Sequence, residues 1–175
     1  MSSILESGLN FGEILEGVGR QGAVSVSALN EQNKQNLLTE TKSLFTPIAG
    51  ESPRIYVETS NLPRGGKLRL VQKELRHCLI PHYNKSINKS FVLWYQKPRG
   101  LSIHRDFEPP ASFCRYTYIL KLGGIGRFFI FDDQTGTNPQ EIDSSEGNLI
   151  VIRSNVYHTF KDIVPPAYSF VLRQK

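Results

Sequence analysis

The chain has 175 residues, is 39% hydrophobic and carries a formal net charge of +5 at pH 7. This length suits one domain with its own core, so we predict a single domain over residues 1–175. The sequence has no apolar run as long as a membrane span and no export leader, which predicts a soluble protein without a membrane partner. Its two cysteines, Cys78 and Cys114, form no Cys-x-x-Cys pair and favour a reducing, cytoplasmic location.

The first part of the chain, residues 1–89, is expected to form an N-terminal helical and lid region. Residues 1–26 show no hydrophobic period and are predicted to be an irregular arm. From Ser27 to Phe45, apolar residues seven positions apart predict a helix, with Ser27 as its N-cap and Pro47 beyond its end.

A short strand and a second helix follow in the same region. The β-branched and aromatic run Ile55–Thr59 predicts a strand, and the glycines and prolines after it predict a turn. Four apolar side chains then recur at helical spacing before Pro81: Leu68, Val71, Leu75 and Leu79. We expect these helices, together with a hairpin lid, to pack on the second half of the chain or across its mouth.

Positive charge is concentrated between residues 54 and 99. This segment holds ten lysines and arginines against two glutamates, whereas the rest of the chain is slightly acidic. A basic block of this kind suits a phosphate backbone or another anionic partner, and a solvated helix face has a similar composition. The block therefore marks nucleic acid as a candidate partner.

Beyond residue 90 the pattern changes to short strands separated by proline and glycine. Eight runs are predicted as strands: 91–96, 101–106, 114–122, 127–132, 140–143, 148–153, 156–160 and 168–173. Eight short strands in succession indicate an antiparallel double-sheet barrel of the jelly-roll type. We therefore predict a mainly β fold of the α+β class, with a jelly-roll core over residues 90–175.

A metal-binding pattern lies on the second of these strands. His104 and Asp106 are two residues apart, so their side chains would project from one face of a strand and bind one ion. His158, on the seventh strand, is the other histidine in the second half of the chain. Two histidines and one carboxylate that leave open positions are typical of non-haem Fe(II) oxygenases. We predict that these three residues bind Fe(II) and form the catalytic centre.

Arg173, on the last predicted strand, indicates what would fill the open positions. The commonest co-substrate of such sites is 2-oxoglutarate, whose keto-acid end binds iron and whose distal carboxylate needs a cation. A guanidinium binds a carboxylate more directionally than an ammonium does. We therefore predict 2-oxoglutarate and dioxygen as co-substrates, with Arg173 as the 2-oxoglutarate ligand and Arg153 as the alternative arginine. A zinc hydrolase that uses the same three metal ligands stays open as another interpretation.

Several stretches beyond residue 90 match one family together: Tyr95, Leu101–Asp106, Tyr118–Gly123 with Phe128–Phe131, Glu146–Ile152 and Tyr168–Gln174. On these stretches the chain resembles the AlkB family of Fe(II)- and 2-oxoglutarate-dependent dioxygenases. Members of that family remove alkyl groups from nucleic-acid bases on a double-stranded β-helix barrel, which is the jelly-roll form that the resemblance implies here.

The resemblance implies a role for each residue of the site. His104, Asp106 and His158 would be the iron ligands. Arg173 would bind 2-oxoglutarate, and Tyr95 would be a hydrogen-bond partner of that co-substrate.

Other positions bear on the substrate and on departures from the family. Glu108 lies where bacterial members carry an acidic residue that reads the exocyclic amine of a base. The family usually ends in Arg-x-Asn-x-Thr-x-Arg, but here the first three of those positions are Ala167, Ser169 and Val171. The family also has an asparagine where this chain has Leu93.

The expected reaction is oxidative dealkylation or hydroxylation of a nucleic-acid base. The basic segment 54–99 would bind the nucleic acid, with Tyr56 and Tyr83 as candidate stacking groups. Two alternatives stay open: a 2-oxoglutarate-dependent hydroxylase of a small molecule, amino acid or protein side chain, and a catalytically silent barrel that only binds nucleic acid.

Overall fold

An antiparallel sheet carries most of the fold. The computed structural model describes residues 3–45, 52, 54–79, 87–106 and 115–174. Its seven strands are β1 (Ala23–Ser27), β2 (Arg54–Glu58), β3 (Ile87–Tyr95), β4 (Tyr116–Phe131), β5 (Gln140–Ile142), β6 (Asn148–Arg153) and β7 (Tyr157–Gln174). Its three α-helices are α1 (Phe11–Gln21), α2 (Glu31–Ser43) and α3 (Lys67–Leu79), with a 3₁₀ turn at Thr59–Asn61.

The strand order is β1-β6-β4-β7-β3-β2, with β5 beside the second half of β4. β4 and β7 have 16 and 18 residues and pair with each other along most of their length. The prediction of two separate strands in each of these regions is therefore wrong, because each pair is one continuous strand. The ladder between β4 and β7 shifts register between Lys121 and Arg127.

Glycines at these register shifts let β4 bend without a turn. Gly124 has a φ of +81°, a conformation that favours glycine, and a Cβ at this position would lie 2.3 Å from the carbonyl oxygen of Pro166. A Cβ on Gly126 would lie 2.3 Å from the ring of Phe160. The glycine run that sequence analysis treats as a break between strands is instead where β4 bulges and β7 packs against it.

The predicted strand 101–106 is also wrong as a member of the sheet. The segment makes an isolated antiparallel bridge between His104 and His158, and the Leu101 N–H donates to the Phe160 carbonyl at 2.9 Å. The 101–106 segment pairs with the first half of β7 at only a few positions. This is enough to fix His104 and Asp106 beside β7.

The predicted irregular arm contains a helix and a strand. α1 begins after Asn10, whose side chain accepts hydrogen bonds from the N–H groups of Gly12 and Glu13. Its apolar residues recur at helical spacing and are buried: Phe11, Ile14, Leu15 and Val18. β1 then pairs antiparallel with β6 at the edge of the sheet.

The two predicted helices are present, with one corrected start. α2 begins after Asn30, which accepts from the Asn33 N–H, whereas Ser27 is the last residue of β1. α3 matches its predicted range, and its four apolar residues are buried. The Glu40 carboxylate of α2 accepts from the N–H groups of Lys67 and Leu68 at the start of α3. Pro47 and Pro81, predicted to end these helices, lie outside the described residues.

The alternation of side chains along the central strands separates two faces. Over residues 92–94 of β3, 116–122 of β4 and 168–172 of β7, even-numbered residues belong to the apolar core shared with the helices, among them Val92, Trp94, Tyr118, Leu120, Phe170 and Leu172. Odd-numbered residues of these stretches project from the opposite face. Beyond the register shifts the alternation reverses, and the even-numbered Phe128, His158 and Phe160 lie on the cavity side. The predicted jelly-roll class is thus supported by a mainly antiparallel β-structure with three helices.

The predicted hairpin lid is not confirmed in the described part of the chain. β2 pairs along β3, from Arg54 opposite Tyr95 to Glu58 opposite Phe91, and so extends the sheet. α3 lies between these two strands in the sequence. None of the described helices is both long and apolar enough to cross a bilayer.

We expect Gly124→Ala to destabilise the protein by about 2–4 kcal/mol, because the new Cβ meets the Pro166 carbonyl in addition to the strain of the positive φ. Gly65→Ala is the matched control, since Gly65 has a φ of +89° and a Cβ added there would meet no atom within 4 Å. That control should cost only about 1 kcal/mol. Urea unfolding measures both, and equal losses would contradict the packing role of Gly124.

Candidate active site

The odd-numbered face of the central strands lines a cavity of about 350 Å³. Each strand contributes alternate residues: Phe91, Leu93 and Tyr95 of β3, Thr117, Ile119 and Lys121 of β4, and Ser169, Val171 and Arg173 of β7. The helices pack on the other face. The cavity therefore lies between the sheet and the residues that approach it from the 101–106 segment and from the first half of β7.

The register between β4 and β7 shows which residues lie at each end of the cavity. Arg173 of β7 lies opposite Thr117 of β4, and Ser169 lies opposite Lys121. These two pairs are four residues apart along the strands, which corresponds to about 13 Å between α-carbons. The cavity consequently has a Thr117–Arg173 end and a Lys121–Ser169 end.

The three predicted metal ligands meet at the first end. The His104 Nε2 atom is 3.8 Å from Asp106 Oδ1, and the His158 Nε2 atom is 3.8 Å from Asp106 Oδ2. One ligand atom from each residue lies within 4.8 Å of the others. The backbones of His104 and His158 are joined by two hydrogen bonds of 3.1 and 2.9 Å. Residues 54 positions apart in sequence thus present a compact set of two nitrogens and one carboxylate.

Both imidazole rings are held in the orientation that metal binding requires. His104 Nδ1 is 2.8 Å from the Ser102 carbonyl oxygen, and His158 Nδ1 is 3.0 Å from the Val156 carbonyl oxygen. A carbonyl only accepts, so each Nδ1 carries the hydrogen, and in the neutral ring Nε2 then keeps a free lone pair. Burial lowers the pKa of His158, which also favours the neutral ring. Backbone carbonyls in this role are a common support of metal-binding histidines.

The Asp106 carboxylate is fixed by two further donors. Its side chain is only 2% exposed. Thr117 Oγ1 donates to Oδ2 at 2.6 Å, and Arg173 Nη2 donates to Oδ1 at 2.5 Å. These contacts compensate the buried charge and leave the carboxylate between the two histidine Nε2 atoms.

Arg173, the predicted 2-oxoglutarate ligand, lies at the metal-binding end of the cavity. Besides its ion pair with Asp106, its guanidinium lies 5.7 Å from the centre of the Phe91 ring. Its side chain is one-third exposed. Arg153, the alternative arginine, donates instead to the Gly19 carbonyl of α1.

Lys121 is a cation of the cavity that sequence analysis missed. It is 1% exposed, its Nζ lies 4.1 Å from the centre of the Phe160 ring, and it donates to Ser169 Oγ over a long distance of 3.5 Å. Among the described residues no carboxylate forms an ion pair with it, although the negative charge of Glu146 acts on it without direct contact and partly opposes the effect of burial on its pKa. Burial lowers its pKa from the ordinary 10.5 to about 8, so the ammonium stays charged at neutral pH. A buried ammonium so poorly compensated is suited to an anionic ligand.

The sequence does carry a signal for Lys121. It is the one charged residue within the apolar run Tyr118–Leu122, where a half-buried strand would place an aliphatic side chain. Its partner Ser169 stands at the position where the AlkB pattern has asparagine. The importance of the pair depends on the β4–β7 register, which links residues 48 positions apart.

Two other predicted residues have different outcomes. Tyr95 lines the cavity and is buried, with its ring centre 5.2 Å from that of Phe160. Burial raises its pKa to about 12, so the hydroxyl remains a donor. Glu108, the predicted substrate contact, lies outside the described residues.

Comparison with known proteins identifies relatives of the fold. No family profile and no curated protein sequence matches the chain. Among solved structures, one similar protein is a prolyl hydroxylase from Trichoplax adhaerens, in complex with a peptide fragment of the hypoxia inducible factor oxygen degradation domain. The comparison gives a TM-score of 0.74 at 14% identity and covers 93% of this chain and 87% of that one. A 2OG-Fe(II) oxygenase-family oxidoreductase from Burkholderia pseudomallei has a TM-score of 0.71 at 12% identity, covering 100% and 95%.

A protein of the AlkB type is also among the similar structures. OsALKBH1 has a TM-score of 0.59 at 11% identity, with 89% of this chain and 99% of that chain covered. The fold is therefore that of the Fe(II)/2-oxoglutarate oxygenases, and the AlkB type is one of several groups that share it. Identities this low establish the fold and leave the substrate open.

The burial of Lys121 predicts a pH-dependent stability. An ammonium whose pKa falls from 10.5 to about 8 costs about 3 kcal/mol of folding free energy while it is charged. The unfolded chain binds more protons than the folded one between pH 8 and 10.5, so the wild type gains stability as pH rises through this window. Lys121→Met should be the more stable protein at pH 7 by up to this amount, and its advantage should shrink by pH 10.5.

Urea unfolding at several pH values measures this difference. Lys73→Met, at an exposed position of α3, is the matched control and should show no such trend. A constant difference between Lys121→Met and wild type across the window would contradict the buried, charged state of Lys121.

Proposed function

We propose that the protein is an Fe(II)- and 2-oxoglutarate-dependent oxygenase. The observation that carries this proposal is the convergence of His104 Nε2, His158 Nε2 and the Asp106 carboxylate at one end of a cavity, within an oxygenase fold. Each ring is already held through Nδ1 by a backbone carbonyl. Two histidines and a carboxylate on one face of an ion are the ligand set of non-haem iron oxygenases.

In this proposal three side chains of the chain bind the iron, and the coordination positions that face the cavity stay open. His104, Asp106 and His158 would bind the ion, while Thr117 and Arg173 keep the carboxylate in place. Iron together with 2-oxoglutarate supplies the dioxygen chemistry that oxidises a C–H bond. The apolar walls formed by Leu101, Phe128 and other residues limit the access of water to that end.

Lys121 is our candidate for the cation that binds the distal carboxylate of 2-oxoglutarate. The predicted cation, Arg173, is paired with Asp106, whereas Lys121 lies at the other end of the cavity without a carboxylate partner among the described residues. Ser169, opposite Lys121 in the ladder, offers a hydroxyl at the same place. A dicarboxylate that reaches from the metal to Lys121 would neutralise the buried ammonium. This feature favours an iron and 2-oxoglutarate site over a zinc hydrolase.

We further propose an alkylated nucleic-acid base as the substrate. Tyr56 lines the cavity and is 60% exposed, and its ring stands edge-on to that of Phe91 at 6.0 Å. Arg54, on the same strand, also lines the cavity. An exposed aromatic ring beside cations is suited to stacking a base while the backbone is held by charge.

Anaerobic titration of the metal-free protein with Fe(II) and then 2-oxoglutarate tests the proposed class. The native chain should develop the weak visible charge-transfer band of an iron–2-oxoglutarate chelate. His158→Ala should lose both iron binding and the band, as should His104→Ala and Asp106→Ala. His77→Ala, at an exposed position of α3, is the matched control and should behave as wild type. A band that persists in His158→Ala would refute the metal assignment.

The same titration separates the two candidate cations. Lys121→Met should leave the iron affinity unchanged and raise the Kd for 2-oxoglutarate at least ten-fold, because one member of a buried charge pair is lost. Arg173→Ala should disturb iron binding as well, since Asp106 loses its guanidinium partner. If only Arg173→Ala raises the Kd for 2-oxoglutarate, Arg173 rather than Lys121 binds the distal carboxylate.

Substrate-dependent formation of succinate tests the proposed substrate. A single-stranded oligonucleotide with an N-methylated base should stimulate turnover of 2-oxoglutarate, and its unmethylated counterpart should not. Tyr56→Ala should raise the KM for the methylated strand about ten-fold, in line with 1–3 kcal/mol for one stacked base. Stimulation by an amino acid or peptide instead would favour the hydroxylase alternative, and binding without any turnover would favour the silent barrel.

A further inference from the structure

A second, smaller cavity lies where β2 ends, beside Lys89 and Ser90 of β3. It has a volume of about 290 Å³, and its charged lining residues are Arg69, Arg76, Lys89 and Glu58. Three cations against one carboxylate give the lining a net positive charge. Hydroxyl and amide groups of the 3₁₀ turn, α3 and β3 complete the cavity.

Two side-chain donors of this cavity converge on one hydroxyl oxygen. Thr59 Oγ1 donates to Ser90 Oγ at 2.5 Å, and Gln72 Nε2 donates to the same oxygen at 2.6 Å. Ser90 therefore accepts twice, which leaves one hydroxyl hydrogen of the Thr59–Ser90 pair for another acceptor. Thr59 and Ser90 are both buried.

Arg69 adds a further donor without an acceptor. Its Nη2 donates to the Ser60 carbonyl at 2.9 Å, which fixes the guanidinium against the 3₁₀ turn. Its Nε–H is buried and has no hydrogen-bond acceptor among the described residues. Buried polar groups are normally satisfied, so this Nε–H is a local deficit of acceptors beside the cavity.

The register of the sheet places one lining residue of this cavity, Lys89, beside the metal-binding end of the candidate active site. Lys89 of β3 lies opposite Arg173 of β7, one strand away, and Arg173 binds Asp106. The Lys89 Nζ atom is 5.9 Å from the centre of the Phe91 ring, and Phe91 lines the active-site cavity. Lys89 and Phe91 project from the same face of β3, so Lys89 connects this cavity at the end of β2 with the active-site side of the sheet.

We propose that this cavity is a phosphate-binding subsite for the substrate of the neighbouring active site. A phosphate group has acceptor oxygens in several directions and suits a lining of guanidinium, ammonium, hydroxyl and amide donors. The volume is roughly ten times the ~30 Å³ of one water molecule, so it admits the phosphate and part of the group that carries it. This inference deepens the proposed function and rests on it, because the phosphate is assigned to that substrate.

Titration of the full-length, EDTA-treated protein with inorganic phosphate tests the subsite directly. The side-chain amide resonance of Gln72 should shift with phosphate concentration in two-dimensional NMR spectra and saturate. Arg76→Gln and Lys89→Gln should each raise the Kd about five-fold or more, since each removes one charged donor. Lys73→Gln, an exposed residue of the same helix outside the cavity lining, is the matched control and should leave the Kd unchanged.

Two results would overturn the subsite. One is the lack of any saturable shift of the Gln72 amide. The other is an equal loss of affinity in Lys73→Gln, which would mean general attraction to a basic surface rather than a site.

A trinucleotide as a second probe identifies the source of the phosphate. A phosphate carried by the substrate predicts that the trinucleotide binds more tightly than inorganic phosphate and loses affinity in both Lys89→Gln and Tyr56→Ala. A free-ion site predicts equal Kd values and no effect of Tyr56→Ala, and this result would overturn the assignment to the substrate. The iron and 2-oxoglutarate titration is independent of these variants, so a normal charge-transfer band without phosphate binding would reject the subsite alone.

Discussion

The pair of backbone hydrogen bonds between His104 and His158 is the constraint on which the candidate site depends. It joins an extended segment outside the sheet to the first half of β7, and it brings two imidazoles and one carboxylate to the same point. The remaining groups are arranged around this contact. Thr117 and Arg173 are neighbours in the β4–β7 ladder, and both donate to Asp106.

The long β4–β7 ladder gives the cavity two chemically different ends. Odd-numbered residues over 117–121 of β4 and 169–173 of β7 face the cavity, so one end carries the groups around Asp106 and the other carries Lys121 and Ser169. The bend at Gly124 separates this ladder from the part that pairs with the start of β7. A chelating ligand at one end and a charge at the other would thus be held by a single pair of strands.

Local patterns in the sequence predicted the parts of the site that depend on spacing alone. His104 and Asp106 are two positions apart, and α3 follows its apolar period. α1 was missed, although Asn10 and the apolar residues after it carry a regular helix signal. Lys121 and the position of Arg173 against Asp106 depend on which strands pair and in what register. That information is non-local, and glycines that look like turns, such as Gly124, hide the continuity of β4.

The attachment of residues 101–106 has a consequence for exchange of amide hydrogens. Three backbone hydrogen bonds tie this segment to β7, at Leu101, His104 and His158, whereas the central strands are paired on both sides. Such a segment is able to open locally at a lower free energy than the sheet. An ion that binds only the closed form would lower the population of the open form by mass action, so the occupancy of the centre would be recorded in the protection of three amides, those of Leu101, His104 and His158.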